Sequence, residues 1–243
     1  MEEYKHVIFI DIETVPCQEH YSSLPKGLQS EWVRKAKFIK QAPEANAEPD
    51  ELFADKAGIF SEFGKVVCIG FGSLHNSENG WQIRLKSLTN DNEKVLLTDF
   101  AEMLSKFVAR HPDFRFCGHN IKEFDIPYLC RRMIINGIAL PPSMQLMSRK
   151  PWEVNHLDTL EMWRFGDYKN FTALSLLAEV LGIPSPKDDI NGSMVAAVYY
   201  QEKNLPRIGK YCLQDVLVTA KVFLKLKGIN DIEIEPVFVN EPI

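Results

Sequence analysis

Near the start of the chain, the segment HVIFIDIET is apolar from Val7 to Ile10 and then alternates between polar and apolar residues with a period of two. Successive side chains of a β-strand point to opposite faces of the sheet, so this period predicts a strand over 6–13. The two faces carry different sets of residues: Val7, Phe9, Asp11 and Glu13 on one, and Ile8, Ile10 and Ile12 on the other.

The same kind of pattern predicts the remaining elements. Strands are predicted at 65–74 and 81–88, joined by the turn-rich HNSENG as a hairpin, and also at 114–118, at 156–160 and in the tail IEIEPVF. Helical periodicity predicts helices at 28–41, 93–110, 126–136, 172–182, 192–202 and 206–227. This order favours an α/β domain with a mixed sheet and helices on both faces.

Residues 17–63 interrupt this pattern with a polar segment that contains three prolines. We expect an insertion packed outside the main sheet of a single domain spanning 1–243. Within it, residues 44–62 carry a net charge of −5 from six acids and one base: Glu44, Glu48, Asp50, Glu51, Asp55, Glu62 and Lys56. An acidic surface repels a nucleic-acid backbone, so the segment should lie away from any nucleic-acid cleft.

Composition narrows the class of protein only a little. The chain is 45% hydrophobic and 25% charged, which is typical of a soluble globular protein. It has no apolar run long enough to span a membrane and no signal peptide at MEEYKHVIFI. Five cysteines without a C-x-x-C pair suggest neither a disulfide framework nor a zinc site, and fit a reducing cytoplasm. Residues 44–62 account for the whole net charge of −5, so charge neither supports nor excludes a nucleic-acid partner.

Acidic residues next to predicted core elements are the main candidates for chemistry. Asp11 and Glu13 share one face of a strand, where they could hold a divalent cation or simply end the strand before Pro16. Asp125 precedes a helix with Pro127 in its first turn, which is typical of an N-cap, although one carboxylate oxygen can cap while the other binds a metal.

Tyr211 and Asp215 lie one helical turn apart and therefore share a helix face. A plain interpretation is a partly buried tyrosine beside a solvated aspartate. However, apolar residues surround Asp215 on the predicted helix, and an acid in such a setting needs a partner. These neighbours are Leu213, Leu217, Val218, Val222 and Leu224.

The segments DIET, HNIKEFD and YCLQD, in this order, resemble the three exonuclease motifs of the DEDD superfamily. The tyrosine four residues before the last aspartate marks the DEDD(y) branch, whereas the histidine branch would carry its histidine where Lys210 stands. The resemblance covers 6–16 and about 64–228, and it points to the proofreading domain of family B DNA polymerases and to related stand-alone bacterial exonucleases. It implies a ribonuclease-H-like fold with a five-stranded mixed sheet.

This resemblance also implies an activity. A 3′–5′ exonuclease of this kind releases nucleoside 5′-monophosphates from single-stranded DNA ends and would serve DNA repair. Two divalent cations, Mg²⁺ or Mn²⁺, would lie roughly 4 Å apart, and Tyr211 would position the attacking water. The implied metal ligands are Asp11, Glu13, Asp125 and Asp215, and the implied contacts to the terminal nucleotides are Thr14, Asn120 and Phe124. A core role for Phe124 is equally plausible.

Other functions and weaker candidates remain open at this stage. The chain could be a 3′–5′ exoribonuclease, a non-catalytic nucleic-acid-binding module, or an interaction domain that docks through its acidic segment. We interpret His119 and His156 as structural. Phosphates could be contacted by Arg131–Arg132 and Arg149–Lys150, although solvated surface charge is the plainer interpretation. Asp158 could support the site from behind or be an ordinary acid at a strand end.

Overall fold

A computed structural model describes residues 1–39, 47–184, 190–230 and 232–239. Its centre is a six-stranded sheet in the order β5-β4-β1-β2-β3-β6, where β1 is antiparallel to β2, β2 to β3, and the other pairs are parallel. The strands are β1 Val7–Pro16, β2 Gly64–Ser77, β3 Gly80–Thr89, β4 Arg115–Gly118, β5 Leu157–Asp158 and β6 Glu235–Phe238. The expected mixed sheet is confirmed, with six strands rather than five because the tail pairs with β3.

Helices cover both faces of this sheet. They are α1 Lys26–Ile39, α2 Pro49–Lys56, α3 Glu93–Arg110, α4 Asp125–Ile135, α5 Thr159–Arg164, α6 Leu174–Val180, α7 Val195–Ala197 and α8 Leu205–Leu226. The helix predicted at 192–202 is not one regular α-helix. A 3₁₀ turn at Gly192–Met194 precedes the short α7, and a π-helical turn at Val198–Glu202 follows it.

The alternation in β1 sets the two cores. Ile8, Ile10 and Ile12 pack in the same core as residues of α3 and α4, whereas Val7 and Phe9 pack in the core beneath α8. The faces predicted from period two are therefore confirmed. β1 continues through Pro16, so its acids lie within the strand rather than at its end.

Two predicted boundaries differ for local reasons. The hairpin is confirmed, but its strands pair as far as Ser77 and Gly80, so only two residues of HNSENG form the turn. The strand predicted at 156–160 is limited to Leu157–Asp158. It stops there because the Asp158 carboxylate accepts hydrogen bonds from the amides of Leu160 and Glu161, which begins α5.

The described part of segment 17–63 forms a small hydrophobic core. Trp32 of α1 and Phe53 of α2 meet edge to face with ring centroids 5.3 Å apart, and the Trp32 indole donates to the carbonyl of Pro49 at 2.7 Å. The described acids of the segment, from Glu48 to Glu62, are all exposed, while Glu44 lies outside the described residues. How far this surface stands from the cleft remains a prediction.

A buried ion pair ties the end of this segment to the main domain. The Arg132 guanidinium of α4 binds both carboxylate oxygens of Glu93, at 2.5 and 2.8 Å, and donates to the Ser61 carbonyl at 2.9 Å. Glu93 also accepts from the Val66 amide of β2 at 2.8 Å. The interpretation of Arg132 as solvated charge was wrong, whereas Arg131 is exposed. The pair connects α3, α4, β2 and the inserted segment.

Candidate active site

Asp11 and Glu13 point into the same space from β1. Their carboxylates and the Cys212 thiol of α8 offer ligand atoms that all lie within 4.8 Å of one another. The Cys212 thiol lies 3.4 Å from a carboxylate oxygen of Asp11. Glu13 is 8% exposed. The two acids are therefore brought together, as the period of the strand predicts.

Asp125 reaches the same strand from the other side. Its carboxylate accepts a hydrogen bond from the Ile12 amide at 3.1 Å, between the two acids of β1. This amide has room for a side-chain partner because β4 pairs with β1 only from Val7 to Phe9. The N-cap prediction was wrong: Phe124 precedes α4, Asp125 is its first residue, and no side chain caps the helix. The carboxylate is used for a tertiary contact instead.

Asp215 and Tyr211 approach from α8. The Tyr211 hydroxyl is hydrogen-bonded to Asp215, so the predicted pairing along one helix face is confirmed. α8 can pack closely because β2 has Gly70 beneath it, where an added Cβ would lie 2.7 Å from the Cys212 sulfur. Val218 and Val222, two of the apolar neighbours of Asp215 on this helix, are buried.

The charges of these acids act on one another. Burial raises the pKa of Asp11 well above its usual range, and the Asp125 and Asp215 carboxylates raise it further. Burial also raises the pKa of Glu13, with further contributions from Asp11, Asp215 and Asp125. The pKa of Asp125 rises to about 7, mainly through burial, although its hydrogen bond from Ile12 opposes the shift. Four negative charges in this space are costly unless cations balance them.

The donor set fits divalent cations that prefer oxygen ligands. Four carboxylates supply the hard ligands that Mg²⁺ and Mn²⁺ take. Burial and the neighbouring Cys68 and Asp11 keep the Cys212 thiol protonated by raising its pKa, so it donates to Asp11 rather than offering a thiolate. Asp125 and Asp215 do not belong to the group within 4.8 Å, and their link to Asp11 is electrostatic.

Asp158 supports the site from behind. It is 4% exposed, and besides starting α5 it accepts hydrogen bonds from the backbone amides of Asn120 and Lys122, at 3.0 and 3.1 Å. These bonds fix the loop that leads into α4 and hence to Asp125. Asn120 adopts a left-handed φ of 66°, which asparagine tolerates better than most residues. These contacts favour the interpretation that Asp158 supports the site over the interpretation that it is an ordinary acid at a strand end.

The three expected nucleotide contacts fall in different surroundings. Asn120 lines a surface cavity beside α4, whereas Phe124 is half-buried against Tyr128 with ring centroids 5.4 Å apart. The Thr14 side chain is hydrogen-bonded to Tyr128, and its backbone follows an irregularity in the pairing of β1 with β2. Contact of these residues with nucleotides stays a prediction.

The two histidines have no metal-ligand arrangement. His119 is held through both ring nitrogens, by the Thr159 hydroxyl at 2.9 Å and the Thr172 carbonyl at 2.8 Å. His156 is buried, and neither of its ring nitrogens has a hydrogen-bond partner among the described residues.

Sequence reasoning had no signal for the position of Cys212 beside the acids. It follows Tyr211 directly, but only the packing of α8 on β2 brings it there.

Similarity to a solved structure supports the fold. A solved family B DNA polymerase from the hyperthermophilic archaeon Pyrobaculum calidifontis superposes with a TM-score of 0.58 at 17% identity, over 91% of this chain and 24% of the polymerase. The fold is accordingly ribonuclease-H-like, as in a polymerase exonuclease domain. No curated protein sequence matches the chain.

A family model identifies the chain more specifically. Residues 59–235 match the family described as predicted 3′–5′ exonuclease related to the exonuclease domain of PolB. The chain belongs to this family. The matched range includes Asp125, Tyr211 and Asp215, while Asp11 and Glu13 precede it. Within the described residues, no helix is both long and apolar enough to cross a membrane.

Proposed function

We propose that this protein is a metal-dependent 3′–5′ exonuclease that removes nucleoside 5′-monophosphates from the 3′ end of single-stranded DNA. The observation that carries the proposal is that Asp11 and Glu13 point into one space, close enough to Asp125 and Asp215 for these two acids to raise the pKa of both. A folded protein keeps such a cluster only if something offsets its cost, and metal-assisted phosphodiester hydrolysis uses an acidic cluster of this kind. The chain's family is one of predicted 3′–5′ exonucleases.

The four carboxylates would hold two divalent cations, Mg²⁺ or Mn²⁺. Bound there, the cations supply charge stabilisation at the phosphate and increase the acidity of the attacking water. The protein's own residues fix the geometry: the Ile12 amide orients Asp125, and Asp158 fixes the loop before it. Thr14, Asn120 and Phe124 would contact the terminal nucleotides, and the whole chain would act as one domain with an insertion at 17–63.

Tyr211 would position the attacking water. Burial first, and then the charge of Asp215, raises the pKa of Tyr211, so its hydroxyl is protonated at neutral pH. A neutral phenol held by Asp215 can fix a water by hydrogen bonding, but it is a poor base. Tyr211 is therefore a positioning group rather than the acceptor of the water's proton.

Tyr211→Phe should lower kcat about 10- to 100-fold, because orienting groups contribute less than the metal charge itself. The measurement is single-turnover cleavage of a labelled single strand. Tyr199→Phe is the matched control, since the Tyr199 hydroxyl accepts from Lys65 and is hydrogen-bonded to Asp91, which is not one of the four acids. Equal rates for both variants would contradict the positioning role of Tyr211.

Divalent cations should stabilise the fold. Metal binding relieves the repulsion among the four acids, so Mn²⁺ at 100 times its dissociation constant should add about 2.7 kcal/mol to the free energy of unfolding. Thermal unfolding in EDTA, Mg²⁺ and Mn²⁺ measures this, with Asp215→Asn as a variant whose metal-induced shift should shrink. A wild-type melting temperature unaffected by either metal would argue strongly against a metal site.

Two other functions make distinct predictions in one nuclease assay with Mn²⁺. An exoribonuclease, the main alternative, would degrade a single-stranded RNA faster than the DNA of the same sequence. A non-catalytic binding module would retain both strands and cleave neither. We favour DNA, repair and a cytoplasmic location, and we expect degradation of the DNA strand with release of nucleoside 5′-monophosphates.

A further inference from the structure

A surface cavity beside the loop that leads into α4 contains unpartnered polar groups. It has a volume of about 580 Å³ and lies between the start of α4, α5 and the segment 146–156. His156, only 6% exposed, forms part of its wall, and neither ring nitrogen has a hydrogen-bond partner in the described chain. The Nε of Arg164, on the same wall, is also buried without a partner. Buried groups of this kind cost free energy unless a ligand or water satisfies them.

The rim of this cavity carries aromatic rings and cations. Trp152 is 78% exposed and Tyr168 70% exposed, although both belong to residue types that usually bury their rings. Arg149 lies on the same rim and is exposed, and the guanidinium of Arg164 lies 5.8 Å from the centre of the Tyr168 ring. Exposed aromatic rings beside arginines are the combination with which proteins stack nucleobases and bind phosphates.

We propose that this cavity binds one nucleotide unit, with the base stacked on Trp152 or Tyr168 and directed at His156, and the phosphate near Arg149. The proposal rests on the proposed function in that the unit would belong to the same strand that the acids cleave. It adds a contact that none of the three exonuclease motifs supplies.

The chemistry of His156 suits the edge of a base. Burial lowers the pKa of His156 to about 4, with Lys122 contributing, so the ring is neutral near pH 7. A neutral imidazole offers one donor and one acceptor, and every nucleobase presents both kinds of group along its pairing edge. The ring is held edge to face by Phe116, with centroids 5.4 Å apart, so its orientation is fixed.

The position of the cavity relates it to the acids. Asn120 and Lys122 line it, and their amides are the ones that Asp158 binds. Three residues beyond Lys122, Asp125 accepts the hydrogen bond from the Ile12 amide of β1. One short loop therefore separates the cavity from the cluster, so a strand whose end lies at the acids could place a neighbouring nucleotide here.

The test is binding of a fluorescent eight-nucleotide single strand in EDTA, where cleavage is blocked. Trp152→Leu and Arg149→Gln should each weaken binding about 5- to 100-fold, the range that single stacking or phosphate contacts give. Arg131→Gln is the matched control, because Arg131 is exposed on α4 and does not line the cavity. All three residues are exposed, so folding should survive, and melting temperatures verify this. Equal affinities for the three variants would overturn the proposal.

Two further comparisons identify the ligand. A strand with abasic sugars in place of all bases should lose most of the difference between wild type and Trp152→Leu; an unchanged difference would overturn base binding. Free dAMP or dTMP should compete weakly if the unit comes from a strand, and strongly if the cavity takes mononucleotides, and either supports a nucleotide site. Hydrolysis of thymidine 5′-monophosphate p-nitrophenyl ester reports the acids separately. If this ester is not hydrolysed but the strand still binds through the cavity, the proposed nuclease function is refuted and the nucleotide site is not.

Discussion

Asp11→Asn and Asp215→Asn should each reduce cleavage of a single strand at least a thousandfold. Each change removes one negative charge and one metal ligand while keeping the size of the side chain. Metal assistance supplies several kcal/mol of transition-state stabilisation, and a loss of about 4 kcal/mol corresponds to roughly a thousandfold in rate. Initial rates with Mg²⁺ and with Mn²⁺ measure the effect.

The same variants should be at least as stable as the wild type when metal is absent. Burial and neighbouring carboxylates raise the pKa of Asp11, so its charge is unfavourable in the metal-free protein, and an amide relieves that cost. Asp113→Asn is the matched control, since Asp113 is exposed in a turn away from these elements. Activity of Asp11→Asn or Asp215→Asn near that of the control would refute the assignment of the acids.

Arg132→Met should lower the free energy of unfolding by about 3–5 kcal/mol. Removing the guanidinium leaves Glu93 buried without its ion-pair partner, and breaking one partner of a buried pair is costly in this range. The Ser61 carbonyl also loses its donor. For a chain of this length, 1 kcal/mol shifts the melting temperature by about 2–4 °C, so we expect a decrease of roughly 6–20 °C.

Arg131→Met provides the control for this stability prediction. Arg131 is the preceding residue on the same helix and is exposed, so its replacement should change the stability by less than about 0.5 kcal/mol. Denaturant unfolding followed by circular dichroism compares the two variants directly. Similar losses for both would mean that the ion pair contributes little and that α4 tolerates no change at either position.

The sequence predicted those parts of the site that local periodicity determines. Alternation in β1 placed Asp11 and Glu13 on one face, and helical spacing paired Tyr211 with Asp215, as the structure has them. Both patterns depend only on backbone geometry within one element. The order of the three motifs then pointed to the family that the comparison shows.

The parts that sequence could not predict depend on contacts between distant residues. Asp125 has the local pattern of an N-cap, but the free amide of Ile12, 113 positions away, takes its carboxylate. Arg132 has the sequence pattern of a surface charge, but in the fold it pairs with Glu93, which lies 39 positions away. The cavity around His156 likewise joins three separate segments, and β6 pairs with β3 across most of the chain, with Gln82 opposite Glu235. No pattern within a single element encodes such partners.

Cleavage of a single DNA strand labelled at one end tests the central claim most directly. With Mn²⁺, a strand labelled at its 5′ end should give a ladder of products that shorten one nucleotide at a time. A label on the 3′-terminal nucleotide should appear at once as a mononucleotide that carries a 5′-phosphate, because attack at phosphorus with departure of the 3′ oxygen leaves the phosphate there. Internal cuts in a circular single strand, or a 5′ label released first, would contradict the account.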